Sequence, residues 1–209
     1  MRFCFEKPKL SFFDIRAFEN QTLYDRIYGE ISAQRRQKVD ALRYHKDQWL
    51  SLAAGYLLEQ GLKELGVEEY EIGYGPFGKP YLQNVPDLHF SLSHSGRYAV
   101  CVFDHRPVGV DIEQLRPVSG ALLEKVCTER ERRFLDAQSS EKLPEIFCRL
   151  WTAKESFMKL EGRGLQITPK TIEVQLEPSL RLLYNQQPAD VSLEEYTVED
   201  HHITVATRT

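Results

Sequence analysis

The chain has 209 residues, of which 42% are hydrophobic and 28% charged, enough to pack one large domain or two small ones. A formal net charge of -4 excludes a nucleic-acid binder that works through overall charge. The opening MRFCFEKPKL puts charges and a proline where a signal peptide needs an apolar run, and no later stretch reaches membrane-spanning length, so a cytoplasmic protein with no membrane partner is expected.

In chain order, residues 10–18 (LSFFDIRAF) read as a strand, and residues 32–65 read as a helix whose SLAAGYLLEQGLKEL segment carries an apolar stripe before Gly66 stops it. Inside that helix QRRQKVDALRYHK gathers Arg35, Arg36, Lys38, Arg43, His45 and Lys46, a basic run suited either to solvent or to a small anion. EIGY is a short strand, and GPFGKPYL is a Gly/Pro loop too irregular for a Walker or Rossmann phosphate loop. LHFSLS and YAVCVF are two strands separated by a turn at His94–Arg97. The hydroxyls of Ser93 and Ser95 and the imidazole of His94 suit phosphate oxygens, although the same residues also make an ordinary polar turn.

The next strand, VGVDIE, raises a question of charge. Strand alternation puts Val108, Val110 and Ile112 on one face and Gly109, Asp111 and Glu113 on the other. At a same-face spacing of roughly 7 Å the two carboxylates repel unless water, a basic side chain or a cation lies between them. Residues 119–138 and 141–161 read as helices. In the second of these Leu150, Ala153, Phe157 and Leu160 face the core, while Trp151, Glu155 and Lys159 lie along an adjacent face with Lys154 on its flank. Glu155 and Lys159 alone make an ordinary helix pair; Asp111, Glu113 and Glu155 together make an oxygen-only site that suits Mg2+ and leaves positions open for water and a substrate phosphate.

TIEVQL, LRLLY, LEEYT and HITVAT then read as a strand meander. His201 and His202 are adjacent in a strand, point to opposite faces and are read as structural. Cys4, Cys101, Cys127 and Cys148 are scattered with no CxxC pair, which predicts buried free thiols. Because the second half repeats the scheme of the first, the expected fold is α+β, two-layered, with similar subdomains at residues 1–105 and 106–209, the second carrying the metal site and a ligand cleft lying between them.

Taken in order, GKP at 78–80, FSLSHS at 90–95, VGVDIE at 108–113 and WTAKESFMKLEGRGL at 151–165 resemble the 4'-phosphopantetheinyl transferases, the double-length Sfp type above all. The resemblance implies a pseudo-twofold fold, a monomer, coenzyme A between the halves and an apo acyl or peptidyl carrier protein as partner. The implied reaction moves phosphopantetheine to a carrier serine, depends on Mg2+ and releases adenosine 3',5'-bisphosphate. It implies Asp111, Glu113 and Glu155 as metal ligands, and Ser93, His94, Lys154 and Lys159 as contacts to coenzyme A, with Lys159 also catalytic. Gly78, Lys79 and Pro80 would meet the adenine, and Arg35 and Lys38 the 3'-phosphate. The DQWLSLAAG helix departs from relatives that show Arg or Thr there, and Ser51 is the substitute expected at that point. Glu155 is the motif's candidate general base, although metal ligation would make it a poorer proton acceptor. Two other classes share these residues: a binding module for coenzyme A or a carrier, and a Mg2+-dependent hydrolase of pyrophosphate bonds.

Overall fold

The computed structural model describes residues 3 and 5–209, so Cys4 lies outside the described residues. β1 (Lys9–Asp14) runs into a 3-10 turn at Ile15–Glu19, and α1 (Gln21–Glu30) follows, capped by the Asn20 side chain accepting from the Leu23 amide. The sequence reading assigned no helix to α1. The single helix expected over residues 32–65 is two, α2 (Ala33–Asp40) and α3 (His45–Glu64). The break has a packing reason: α2 folds back on α3, burying Val39 and laying Arg35 across α3 so that its guanidinium donates twice to the Ser51 carbonyl, at 3.1 and 2.8 Å. The Gln48 amide then satisfies the Leu42 carbonyl freed by the break.

β2 (Ile72–Tyr74) and β3 (Pro80–Leu82) form a hairpin around the GKP loop. β4 (His89–Ser95) and β5 (Tyr98–Asp104) form a second, whose turn tightens to two residues because Gly96 takes a φ of 58°. β1 joins the far side of β5, giving an antiparallel sheet in the order β1-β5-β4. Phe90, Cys101 and Phe103 on one face of it pack with Leu50, Leu57, Leu58 and Leu62 of α3 into the first core.

The remainder begins with β6 (Val108–Gln114), α4 (Gly120–Val126), α5 (Glu129–Asp136) and α6 (Leu143–Glu161). The helix expected over 119–138 divides at Cys127–Thr128, where Thr128 and Glu131 cap α5 reciprocally. The late strands β7 (Ile172–Gln175), β8 (Arg181–Tyr184), β9 (Gln187–Pro188), β10 (Val191–Val198) and β11 (His201–Arg208) do not form one meander. β7, β8 and β9 pair among themselves, whereas β11 inserts between β10 and β6 to give the order β10-β11-β6.

The result is an α+β chain in which the sheet β1-β5-β4 carries α3 and the sheet β10-β11-β6 carries α6, each on its outer face. Between the sheets lies a third core in which Tyr98, Val100 and Val102 meet Val108, Val110, Ile112, Ile203 and Val205. On the opposite face of β6, α6 sits directly on the backbone: a Cβ on Gly109 would stand 2.0 Å from the Ser156 carbonyl oxygen, so only glycine fits. That close approach sets α6 over Asp111.

Lys154 departs from expectation. It is 1% exposed and spends its three N–H donors on the Val126 carbonyl, the Glu131 carboxylate and the Pro169 carbonyl at 2.7–3.0 Å, well inside the C-terminal core. It therefore ties α6 to α4 and α5 and makes no approach to a ligand. Lys154→Met leaves Glu131 buried without its counter-charge, and urea unfolding of that variant is expected to show a loss of about 3–5 kcal/mol. A change below 1 kcal/mol would mean that the pair merely offsets its own desolvation.

Candidate active site

The site forms where β4 and β6, each an edge strand of its own sheet, run side by side in the same direction. They are joined by side chains in place of a backbone ladder. Ser91 Oγ accepts from the Val110 amide, Ser93 Oγ donates to Asp111 Oδ1 at 2.8 Å, and Ser95 Oγ donates to Glu113 Oε2 at 2.7 Å while accepting from the Gln114 amide. Period-two alternation on both strands makes this match: alternate serines meet alternate carboxylates. Asp111 and Glu113 share a face, and across the sheet they stand opposite Thr204 and His202 of β11.

Helix α6 supplies the rest. Lys159 Nζ donates to both Asp111 Oδ1 and Ser93 Oγ at 2.7 Å, which places the expected basic neighbour beside the carboxylates. Asp111 is nonetheless nearly buried, and its Oδ2 has no hydrogen-bond partner. Burial pushes the Asp111 carboxyl above the usual range against the pull of Lys159 and Ser93. Burial also pushes Glu155 up to about 7, with Asp111 and Glu113 adding their repulsion and Lys159 opposing. Among the described residues no three His, Cys, Asp or Glu side chains stand together as a metal-binding group. Glu113 leans instead toward Ser95 and the exposed Arg116, and Asp111 toward Lys159.

Beside this cluster two cavities of about 670 and 270 Å3 share Pro80, Phe90 and Leu92 in their walls. The larger is lined by Arg35 and Lys38, the smaller by Gly78, Lys79, Pro80 and Lys159. Lys38 donates to the Tyr74 hydroxyl and sits 4.5 Å from the centre of its ring, a contact that sequence reasoning missed because the partner comes from another hairpin. His94 is exposed by surface area, yet desolvation by the protein around it, then Lys159 and Arg35, lower its pKa while Asp47 opposes, which keeps it neutral near pH 7. Lys79 differs from a simple adenine contact, since its ammonium donates to the Val108 and Leu160 carbonyls at 3.0 and 3.1 Å and burial holds it at about 8. Ser51 offers its carbonyl to Arg35. His202 pairs with Glu195 and His201 with Asp200, and both histidines are buried at the start of β11. Cys101, Cys127 and Cys148 are free and buried.

One strand face with two carboxylates, a lysine that bridges one of them to a serine, and an adjoining cleft where Arg35 and Lys38 stand among Glu59, Glu68, Glu69 and Glu71 make up the candidate site. Residues 107–206 match the model of the 4'-phosphopantetheinyl transferase superfamily. The chain is 33% identical to a 4'-phosphopantetheinyl transferase of Bacillus subtilis over 73% of its own length and 70% of the relative's. It is 31% identical to the 4'-phosphopantetheinyl transferase Sfp of Bacillus subtilis strain 168 over 73% and 69%. Among solved structures, the holo-[acyl-carrier-protein] synthase of Thermotoga maritima is similar over 49% of this chain and 62% of that one, at 17% identity and a TM-score of 0.41. The chain belongs to the 4'-phosphopantetheinyl transferases, the enzymes that move a phosphopantetheine group to a carrier protein. Within that family it is of the Sfp type.

Proposed function

We propose that the donor is coenzyme A, that the acceptor is a serine of an apo acyl or peptidyl carrier protein, and that Mg2+ is held by Asp111, Glu113 and Glu155. The observation that carries this reading is Asp111, whose buried Oδ2 lacks a partner beside two more carboxylates that repel it. Such oxygens fit a hard cation, and the donor set contains no sulfur or nitrogen ligand that would favour zinc. When bound, the ion would neutralise pyrophosphate oxygens and stabilise the departing phosphate.

The chain's own residues supply the rest of the chemistry. Arg35 and Lys38 on one wall of the larger cavity offer N–H donors to the 3'-phosphate, and Pro80 lies in the wall it shares with the smaller cavity, which Gly78 also lines. His94, neutral, presents a donor to a phosphate oxygen, while Ser93 gives its one proton to Asp111 and accepts from Lys159, holding both groups in place beside it. The carrier serine oxygen forms a bond to the phosphorus that bears the pantetheine arm, the bond from that phosphorus to adenosine 3',5'-bisphosphate breaks, and the serine proton leaves to a base. Glu155, held near 7 by burial and its neighbouring carboxylates, is the candidate base, directly or through a water; its own ligation of the ion and neutralisation of Asp111 and Glu113 would lower it. Lys159 stabilises charge on the leaving phosphate. Both halves contribute to this one site, which fits a monomer, and free buried thiols fit the cytoplasm.

Mass spectrometry of an apo-carrier incubated with the protein, Mg2+ and coenzyme A is expected to show the gain of one phosphopantetheine on serine, and none with excess chelator. Release of adenosine 3',5'-bisphosphate at an equal rate without carrier would replace the transferase with a hydrolase. Binding of coenzyme A with no turnover on a broad carrier panel would leave a binding module.

A further inference from the structure

The seam between β4 and β6 does more than join two sheets. A serine hydroxyl has one proton to give. In Ser95 the lone pairs receive the Gln114 amide at 3.2 Å, which turns that proton toward Glu113 Oε2 at 2.7 Å. Ser95 is buried, whereas the other partner of Glu113, Arg116, stands 3.3 Å away with 68% of its side chain exposed, a contact that solvent weakens. The directional constraint on Glu113 is therefore Ser95. The same arrangement recurs two residues earlier, where Ser93 accepts from Lys159 and donates to Asp111.

We infer that Ser95 is a positioning residue for the cation, orienting the Glu113 carboxylate through its single hydroxyl proton. The inference rests on the assignment of Glu113 as a Mg2+ ligand. A group that orients a ligand in this way typically contributes about 10–100-fold to metal affinity, acting through the carboxylate it holds.

The test is a titration of Mn2+ into the full chain with saturating coenzyme A, read by loss of the free-ion electron paramagnetic resonance signal, with thermal melts as the control for folding. Ser95→Ala is expected to weaken Mn2+ binding about 10–100-fold in a chain that still melts cooperatively, at a somewhat lower temperature because the Gln114 amide loses its acceptor. Ser95→Cys keeps the volume but donates poorly, and is expected to weaken binding in the same direction even where the alanine variant folds badly. If Glu113→Gln loses Mn2+ affinity while both Ser95 variants bind like the parent, the positioning role is wrong and the metal assignment stands. If Glu113→Gln also binds like the parent, Glu113 is no ligand and the role of Ser95 falls with it.

Discussion

Asp111→Ala is expected to lower the rate of carrier modification by about a thousandfold or more while the protein stays folded. Asp111 is where three lines of structure meet: the β6 alternation that aims it at α6, the Ser93 hydroxyl from the other sheet, and the Lys159 ammonium. Its loss removes the one carboxylate oxygen that is buried and unpartnered among the described residues. Stability should change little because two effects oppose each other. The ion pair with Lys159 disappears, but Lys159 is 28% exposed and can turn to water. Meanwhile Glu155 loses the largest of its charge repulsions, so its pKa drops from about 7 toward the ordinary carboxylate range. Above pH 5 the variant therefore escapes part of the cost of keeping Glu155 charged, and its melting temperature should fall by only a few degrees. Normal turnover at limiting Mg2+ would show that Asp111 is not a metal ligand.

Lys159→Ala is expected to reduce kcat by about 100- to 1,000-fold and to weaken coenzyme A binding much less. Lys159 stands 2.7 Å from Asp111 and from Ser93 and also lines the smaller cavity, so it links the carboxylate face to the ligand. A cation at that point meets more negative charge in the transition state, where the leaving phosphate gains it, than in the bound substrate. Pre-steady-state kinetics separate the two quantities. A variant whose defect lay wholly in KM would place Lys159 in ground-state binding alone.

The face shared by Asp111 and Glu113 was legible in VGVDIE, since strand parity depends only on chain direction and the register with β11 keeps it. The face shared by Glu155 and Lys159 was legible for the same kind of reason, helical spacing. Lys154 was not, because a single residue of difference rotates a helical side chain by roughly 100°. Its partner Glu131 sits on a separate helix, so its burial depends on packing that no local pattern contains. The same holds for the break at Ala41–Tyr44: no Gly or Pro marks it within the basic run, and the tertiary seat of Val39 and Arg35 on α3 bends the chain. The serines of FSLSHS read as phosphate contacts or turn residues. Their second task, holding the other half of the molecule, became visible only when β6 lay beside them.

Neither β4 nor β6 has a backbone neighbour on its outer side within its own sheet. Each would present bare amides and carbonyls to solvent if the chain were cut between Asp104 and Val108, and such edges recruit other strands. The three hydroxyls of Ser91, Ser93 and Ser95 therefore act as a guard against self-association as well as a joint. Fragments made by cutting there would aggregate when kept apart and recover solubility when mixed, because each one shields the other's open edge.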